Sequence, residues 1–510
     1  MCNVIPKLSR LLASGSVNCT IIISNGLFTR ITMNNSPIRV RFAPSPTGMM
    51  HLGGVRTALM NYLFAQQKGG AFVLRIEDTD TERNYDPTAQ KIIADLTWLG
   101  LTYNEGPIVG GLHKPYFQSM RDQIYQERLA ELSNSGKAYR CFCTQEELEK
   151  KRVRQIALKT PPRYDRTCLG LTEQQINHNL EQKTSFIWRV KLDKEGTISI
   201  QDLSHGTITF DLKNFSDFPL TRENGTCTFM FANFVDDMMM QISHVIRGED
   251  HLTNTAGQAM LYKAFDYPLP LFWHVPILCS IEGKKLSKRD FGFSLVDLKD
   301  AGYLPEAIVN YLAIIGSSFT QEFMSLEELS KNFNFDSMNS TGQIKYDVEK
   351  LKWFNHKWIN HISDDELAIR CLPFLLATYP TAKIIEQNTL ARLIKAVKTD
   401  LVTLQDITKV LEFYFKAPTV THQDIAQHIT NQHDCLVIAN LISDVLPTLD
   451  TAIFTDTVKK ASQAQNISLK DTWTFVRMAL TGLPKGLGIN DLIEVLGIDE
   501  IKTRLKSVIG

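Results

Sequence analysis

Apolar and polar positions along the chain change period in a consistent order. Residues 38–43, Ile-Arg-Val-Arg-Phe-Ala, alternate as a strand does, Pro44 to Gly48 read as a turn, and 52–67 carry the three-to-four spacing of a helix. That helix must stop at Gly69-Gly70, and 71–76 (Ala-Phe-Val-Leu-Arg-Ile) form a second strand. Strand, helix and strand in succession predict a parallel α/β unit. Helical patterns return at 87–99 and 116–135, with a more polar one at 145–158, and short strand-like runs follow at 186–190, 198–200, 206–210 and 241–247. From about 305 the pattern is helical, clearest at 305–315, 365–376 and 492–509, with no series of evenly spaced strands. The fold class expected is α/β: a Rossmann-like parallel sheet carrying an insertion, followed by an all-α C-terminal region.

Composition changes this picture little. A chain of 510 residues with 44% apolar residues can bury several cores. The 55 basic and 55 acidic residues cancel, so attraction to nucleic acid must come from local charge. Nine scattered cysteines argue for a reducing compartment and against a disulfide framework. No apolar run reaches the roughly 18–20 residues of a membrane span, and no membrane partner is expected. Ahead of residue 38 the chain is serine-rich and free of acidic residues, the first being Glu77. It reads as a start-site extension before Met33 of a cytoplasmic bacterial protein, the alternative being a transit peptide to the mitochondrial matrix.

The chemistry concentrates at two places. Arg41-Phe-Ala-Pro-Ser-Pro-Thr-Gly48 and His51-Leu-Gly-Gly54 join the first strand to the first helix, where a sheet of this kind holds a nucleotide. Backbone N–H groups there favour phosphate, and a histidine can donate to its oxygens. About 230 residues later, Gly283-Lys-Lys-Leu-Ser-Lys-Arg289 is a basic loop suited to a leaving pyrophosphate. Either segment alone reads most simply as a turn or a solvated loop; both together, in this order, resemble the paired signatures of class I aminoacyl-tRNA synthetases.

Four segments narrow the resemblance: Arg41 to Gly48, Arg75-Ile-Glu-Asp-Thr-Asp80, Phe231-Ala-Asn-Phe-Val-Asp-Asp237 and His244-Val-Ile-Arg-Gly-Glu249 are similar to the glutamyl-tRNA synthetase family, bacterial type. The resemblance implies activation of glutamate with ATP and Mg2+, followed by transfer to the 3′ end of tRNA(Glu), with tRNA(Gln) a further acceptor to consider. It implies a monomer in which His51, Lys285 and Lys288 act electrostatically. ATP would be held by Pro44, Ser45, Thr47, Gly48, His51, Gly53, Gly54, Lys285, Leu286, Ser287, Lys288 and Arg289, and glutamate by Arg41, Ser45, Glu77, Phe229, Asn233 and Arg247. Guanidinium groups suit carboxylates and a carboxylate suits the ammonium, so Arg41 and Arg247 are the expected clamps and Glu77 the ammonium partner. Phe229 departs from the tyrosine usual in the family, which removes a hydroxyl.

The resemblance further divides the chain into 1–37, an extension; 38–115 and 226–312, the two halves of the catalytic domain; 116–225, the inserted acceptor-stem domain; 313–374, a stem-contact domain; and 375–510, the helical anticodon-binding domain. The insertion carries Cys141-x-Cys143 and, after 24 intervening residues, Cys168, the spacing of a zinc-binding subset of the family. The fourth ligand of that subset, a histidine two residues on, is Gly170 here; Tyr164 and His178 are the alternative donors. Lys150, Lys151, Arg152, Arg154, Lys159, Arg163 and Arg166 form a basic stretch in the same insertion, suited to RNA phosphates. Two rivals remain at this stage. A glutaminyl-tRNA synthetase would carry β-barrels in place of the helical tail, and an inactive RNA-binding paralogue would have no need of His51 and the lysines.

Overall fold

The computed structural model describes residues 37–80, 84–287, 290–317, 319, 321–334, 343–448 and 450–509. The expected extension therefore lies outside the described residues, apart from residue 37. Strand β1 (Arg39–Phe42) pairs in parallel with β2 (Ala71–Leu74), and the helix Leu52–Lys68 crosses between them. All four residues of β1 are buried, arginines included. Successive side chains of a strand point to opposite faces, so Val40 and Phe42 share one face and Arg39 and Arg41 the other. The helix is buried along most of its length, through Leu52, Val55, Leu59 and Leu63 among others.

The second half of the sheet comes from far along the chain. β7 (His244–Gly248) lies beside β1, and Ser243 immediately before it holds the Arg39 backbone twice. The Arg39 amide donates to Ser243 Oγ at 2.8 Å, and the Ser243 amide donates to the Arg39 carbonyl at 3.0 Å. β8 (Leu271–Val275) continues the parallel order on the far side of β7. Between these halves stand β3 (Ala138–Cys141) with its antiparallel partner β4 (Ile187–Val190), and the antiparallel pair β5 (Thr197–Asp202) and β6 (Gly206–Asp211). The insertion does not simply hang off the sheet: β5 joins β8 in parallel through Asp202 opposite Phe272, giving the order β6-β5-β8-β7.

Three local expectations change. The second strand ends at Leu74 rather than 76. The strand expected at 241–247 starts at His244, because Gln241 turns the chain with φ +55° just after a helix. That helix, Phe229–Met239, was not anticipated: its apolar spacing is interrupted by Asn233, Asp236 and Asp237, all of which are buried.

After the short strands β9 (Leu278–Cys279) and β10 (Ile344–Lys345), the described residues contain no further strand. Helices Val348–His361, Asp364–Thr378, Gln387–Val397, Asp434–Val445, Phe454–Ala464 and Leu469–Thr481 lead to the tail. Gly497 divides the tail into Ile489–Leu496 and Ile498–Ile509. One apolar core runs from β1 into these helices, and a second unites the insertion with helices Phe229–Met239 and Leu252–Ala264. Among the described residues no helix is long and apolar enough to cross a membrane.

The catalytic half meets the C-terminal half at a polar joint. Asn355 is fully buried; its Oδ1 accepts from the Leu304 amide at 2.7 Å and its Nδ2 donates to the Val402 carbonyl at 2.6 Å. Gly302 has φ +81°, and a Cβ there would stand 2.6 Å from the Gln405 amide nitrogen and 2.8 Å from that of Leu404. Both the conformation and the close approach require glycine. Gly302→Ala is expected to destabilise the protein by about 1–3 kcal/mol, read as a lowered denaturant midpoint; an unchanged midpoint would show that the joint tolerates a side chain.

Candidate active site

A cluster of buried charges lies under the end of the sheet that carries the turn Pro44 to Gly48. Arg41 Nε and Nη2 donate to the two oxygens of Asp237 at 3.0 and 3.2 Å, and its Nη1 donates to the Ile246 carbonyl at 3.3 Å. Arg75, on the chain just after β2, donates to Asp237 at 2.7 Å and to Glu77 Oε1 at 3.0 Å. Asp236 accepts from Arg121 Nε at 2.6 Å, Gln118 Nε2 at 2.8 Å and the Tyr125 hydroxyl at 2.9 Å. Glu77 Oε1 also accepts from Asn233 Nδ2 at 2.5 Å, and Asn233 Oδ1 from Gln258 Nε2 at 2.6 Å. Burial raises the Glu77 pKa, against the pull of Arg75. Three guanidiniums, of Arg41, Arg75 and Arg121, thus face three carboxylates, of Glu77, Asp236 and Asp237.

Arg247 is a fourth guanidinium beside this balanced set. It is only 6% exposed, and no carboxylate among the described residues pairs with it. Its Nη2 donates to Thr255 Oγ1 at 2.6 Å, while its Nε is buried without a partner. Burial, and then the neighbouring Arg41, pull its pKa down to about 9, which still leaves it charged at neutral pH. Arg56, also buried, differs in ending on the carbonyl oxygens of Pro276 and Ile315. Of the residues expected at glutamate, the structure brings Arg41, Glu77, Asn233 and Arg247 into or beside one buried cluster. Ser45 is exposed on the loop before the first helix, and Phe229 opens the helix Phe229–Met239 with its ring centroid 6.2 Å from that of His251.

The first signature segment is strapped by backbone to the stretch just after the second. Leu52 donates to the Phe293 carbonyl at 2.9 Å and Leu295 to the Met50 carbonyl at 2.9 Å, so residues 50–52 lie along 293–295. His51 caps the first helix: its Nδ1 accepts from the Gly54 amide at 3.0 Å, and its ring stacks on Phe293. A Cβ on Gly53 would press on that ring at 3.1 Å from Nδ1. With Nδ1 accepting, the proton of neutral His51 sits on Nε2, free to donate outward. Partial burial of the ring, then Lys285, lower its pKa, so the neutral form prevails at pH 7; Asp250 opposes this. Lys285 reaches Asp250 at 3.2 Å. Leu286 is buried and holds the loop down, its amide donating to the Leu278 carbonyl at 3.3 Å, and Ser287 donates to Asp290. Pro44 is half-buried, with its carbonyl accepting from the Glu77 amide at 3.0 Å, and Thr47 and Gly48 are exposed. Lys288 and Arg289 lie outside the described residues.

In the insertion, the sulfurs of Cys141, Cys143 and Cys168 lie within 4.8 Å of one another, those of Cys143 and Cys168 at 3.5 Å. The Tyr164 hydroxyl stands 3.2 Å from Cys141 Sγ and 3.8 Å from Cys143 Sγ, and so supplies an oxygen donor where the sequence spacing offered Gly170. Sulfurs sharing a tetrahedral ion at 2.3 Å sit about 3.8 Å apart, so the set suits zinc. The basic stretch is less free than its sequence suggested. Lys150, Lys151 and Arg152 pair with Glu146, Asp165 and Glu149, and Arg166 turns inward to Asp217 at 2.7 Å.

Sequence reasoning gave no role to Arg75, Asp236, Asp237, Arg121, Thr255, His274 or Asp202. A signal was present for the aspartates, since two adjacent acids within an apolar helical run must find partners.

The parallel sheet, the histidine at the helix start and the basic loop whose following residues are strapped to it define a class I aminoacyl-tRNA synthetase. Residues 37–353 match the family model for the catalytic domain of class I tRNA synthetases (E and Q), and 366–509 match the model for an anticodon-binding domain. A glutamate–tRNA ligase of Moorella thermoacetica is 37% identical over 92% of this chain and 97% of its own length. Glutamate–tRNA ligase 1 of Pseudothermotoga lettingae is 38% identical over 93% of this chain and 100% of its own. The crystal structure of a glutamate tRNA ligase from Elizabethkingia meningosepticum, in complex with its amino acid, superposes with a TM-score of 0.84 at 31% identity, covering 93% and 99% of the two chains. The chain belongs to the glutamate–tRNA ligase family, and its reaction is the ATP-dependent joining of glutamate to tRNA.

Asp236 holds the cluster from its fully buried position, so Asp236→Ala leaves Arg121 without its carboxylate and Gln118 and Tyr125 without their acceptor, while Arg75 keeps Asp237 and Glu77. A loss of about 3–5 kcal/mol in unfolding free energy is expected, measured by urea denaturation; a loss below about 1 kcal/mol would mean that the cluster contributes little to stability.

Proposed function

We propose that glutamate binds with one carboxylate on Arg247 and its ammonium toward Glu77, and that ATP lies along the start of the helix Leu52–Lys68. The observation that carries this reading is the charge count. Three guanidiniums already answer three carboxylates, and Arg247 is the buried cation left over. Glutamate, with two carboxylates and one ammonium, brings a single net negative charge that neutralises it; glutamine brings none. Discrimination then comes from a desolvated charge that the wrong substrate leaves unpaired. Arg41 keeps two N–H groups beyond those given to Asp237 and Ile246 and serves as the second clamp. Asn233 fixes the Glu77 carboxylate, and Ser45 and Phe229 complete the amino-acid site.

ATP enters as its Mg2+ complex, on the backbone of Pro44, Thr47, Gly48, Gly53 and Gly54 and against the loop of Leu286, Ser287 and Arg289. The substrate's α-carboxylate attacks the α-phosphate and pyrophosphate leaves; a terminal hydroxyl of tRNA then attacks the adenylate carbonyl and releases AMP. His51, through Nε2–H, and Lys285 and Lys288 answer the charge that develops on the phosphates. No side chain of the enzyme becomes covalently attached, so catalysis rests on positioning and electrostatics.

The finer readings follow the same logic. Cys141, Cys143, Tyr164 and Cys168 would hold a zinc ion that braces the insertion. The insertion takes the acceptor stem, the segment to about 374 contacts the stem, and the helices beyond it read the anticodon of tRNA(Glu). The family resemblance supports a monomer, and the bacterial relatives support a cytoplasmic location.

Arg247→Gln is expected to raise the glutamate KM at least about 100-fold with the ATP KM little changed, read by charging of tRNA(Glu) with labelled glutamate. A KM within about threefold of the parent would remove Arg247 from the site. The same assay run with tRNA(Gln) reads the acceptor range, and charging of both tRNAs would call for a partner amidotransferase. Purified protein is expected to carry about one zinc per chain and Tyr164→Phe to lose it more readily to a chelator; a metal analysis well below one equivalent would leave only reduced thiols there.

A further inference from the structure

Arg247 is aimed by a second set of buried groups that the reaction itself does not use. Asp202, the last residue of β5, accepts at Oδ1 from the Ser204 amide (2.9 Å), Ser204 Oγ (2.7 Å), the His205 amide (2.9 Å) and His205 Nδ1 (3.1 Å). Its Oδ2 faces His274 Nδ1 at 2.5 Å, on the neighbouring strand β8, and both side chains are fully buried. His274 Nε2 lies 2.8 Å from Thr255 Oγ1, and Thr255 Oγ1 accepts from Arg247 Nη2 at 2.6 Å.

With His274 neutral, these contacts admit one assignment of protons. A carboxylate surrounded by donors can only accept, so His274 carries its proton on Nδ1. Burial lowers the His274 pKa, with Asp202 opposing, which keeps Nε2 unprotonated and able to accept. The Thr255 hydroxyl, which also faces the His251 carbonyl at 3.2 Å, then donates to the nearer Nε2, and this turns its lone pairs toward Arg247. The line from Asp202 to Thr255 is thereby satisfied and holds the guanidinium at Nη2, while Arg247 Nε is left without a partner.

Resting on the reading of Arg247 as the glutamate clamp, we propose that Asp202, His274 and Thr255 form a positioning relay that fixes the Arg247 guanidinium for the substrate carboxylate. Asp202 belongs to the inserted region, while Thr255 and His274 follow it in the second catalytic half. The orientation of the amino-acid clamp is thereby tied to the docking of β5 on β8. None of the three residues needs to touch glutamate or ATP for this.

The test uses the full chain with tRNA(Glu) and compares steady-state constants for glutamate and ATP separately. Thr255→Val keeps the shape and removes the hydroxyl. It is expected to raise the glutamate KM about 10-fold, as befits a hydrogen bond to a charged group, with the ATP KM within about twofold. Thr255→Ser, which restores the hydroxyl, is expected to recover most of that loss. Asp202→Asn is nearly isosteric but can donate to Nδ1, which reverses the tautomer; it is expected to raise the glutamate KM in the same selective way. A T255V enzyme with an unchanged glutamate KM overturns the relay, as does a T255S enzyme no better than T255V. Equal loss for glutamate and ATP would show a general structural role and overturn it as well. Should T255V not fold, D202N alone decides between selective and unselective loss. R247Q separates the two readings: if it leaves the glutamate KM unchanged, the clamp itself is wrong, whereas a large R247Q effect with a silent T255V rejects only the relay.

Discussion

The paired carboxylates of Asp236 and Asp237 are the constraint around which the catalytic half is organised. Taking two adjacent acids out of water is costly unless each is answered by charge and hydrogen bonds. Arg121, Gln118 and Tyr125 answer one from the start of the insertion, while Arg41 and Arg75 answer the other from β1 and the end of β2. Segments distant in sequence therefore meet at one short stretch of helix. The cluster sets the position of Arg41, and Arg75 and Asn233 fix Glu77, so that two of the side chains proposed for the amino acid are held by the same contacts that satisfy the buried charge.

Such an arrangement separates two kinds of buried cation. Arg75 is enclosed by three acids, and its charge is spent on the fold. Arg247 is enclosed by a hydroxyl and the edge of the cluster, and its charge remains available. Holding an uncompensated guanidinium in a buried place costs stability, and the cost is recovered when an anion arrives. Fold and binding thus draw on the same side-chain chemistry in opposite senses.

Much of this was legible in the sequence. The alternation at 38–43, the helix before Gly69 and the second strand gave the parallel unit, and the mostly helical periodicity from about 305 onward favoured a helical tail over a β-barrel one. The two signature segments pointed to the family because short motifs carry their spacing with them. What escaped is what depends on long-range pairing. A buried aspartate inside an apolar helix looks like a break in periodicity until its arginines are known, which is why Phe229–Met239 was not read as a helix. Tyr164 could not be chosen as a fourth donor over His178 by counting residues, since only the fold of the 158–168 segment brings its hydroxyl beside the cysteines. Arg166 read as a phosphate-facing cation, because its partner Asp217 lies 51 positions away.

The seam between β1 and β7 has a consequence for how the chain is made. Arg39 and Ser243, which bond each other across it, are 204 positions apart, with the whole insertion between them. At about 5–20 residues per second of synthesis, β1 and β2 wait roughly 10–40 seconds for the strand that covers their edge. Through that interval Arg41 has no aspartate to meet, since residue 237 is still unmade, whereas the partner of Arg39, Glu105, arrives 66 residues on. A newly begun chain therefore presents a solvated, positively charged ribbon rather than a finished sheet, and its charge guards the open edge against pairing with a neighbour on the same message. The buried cations of the mature enzyme are, earlier in its life, the protection of an unfinished one.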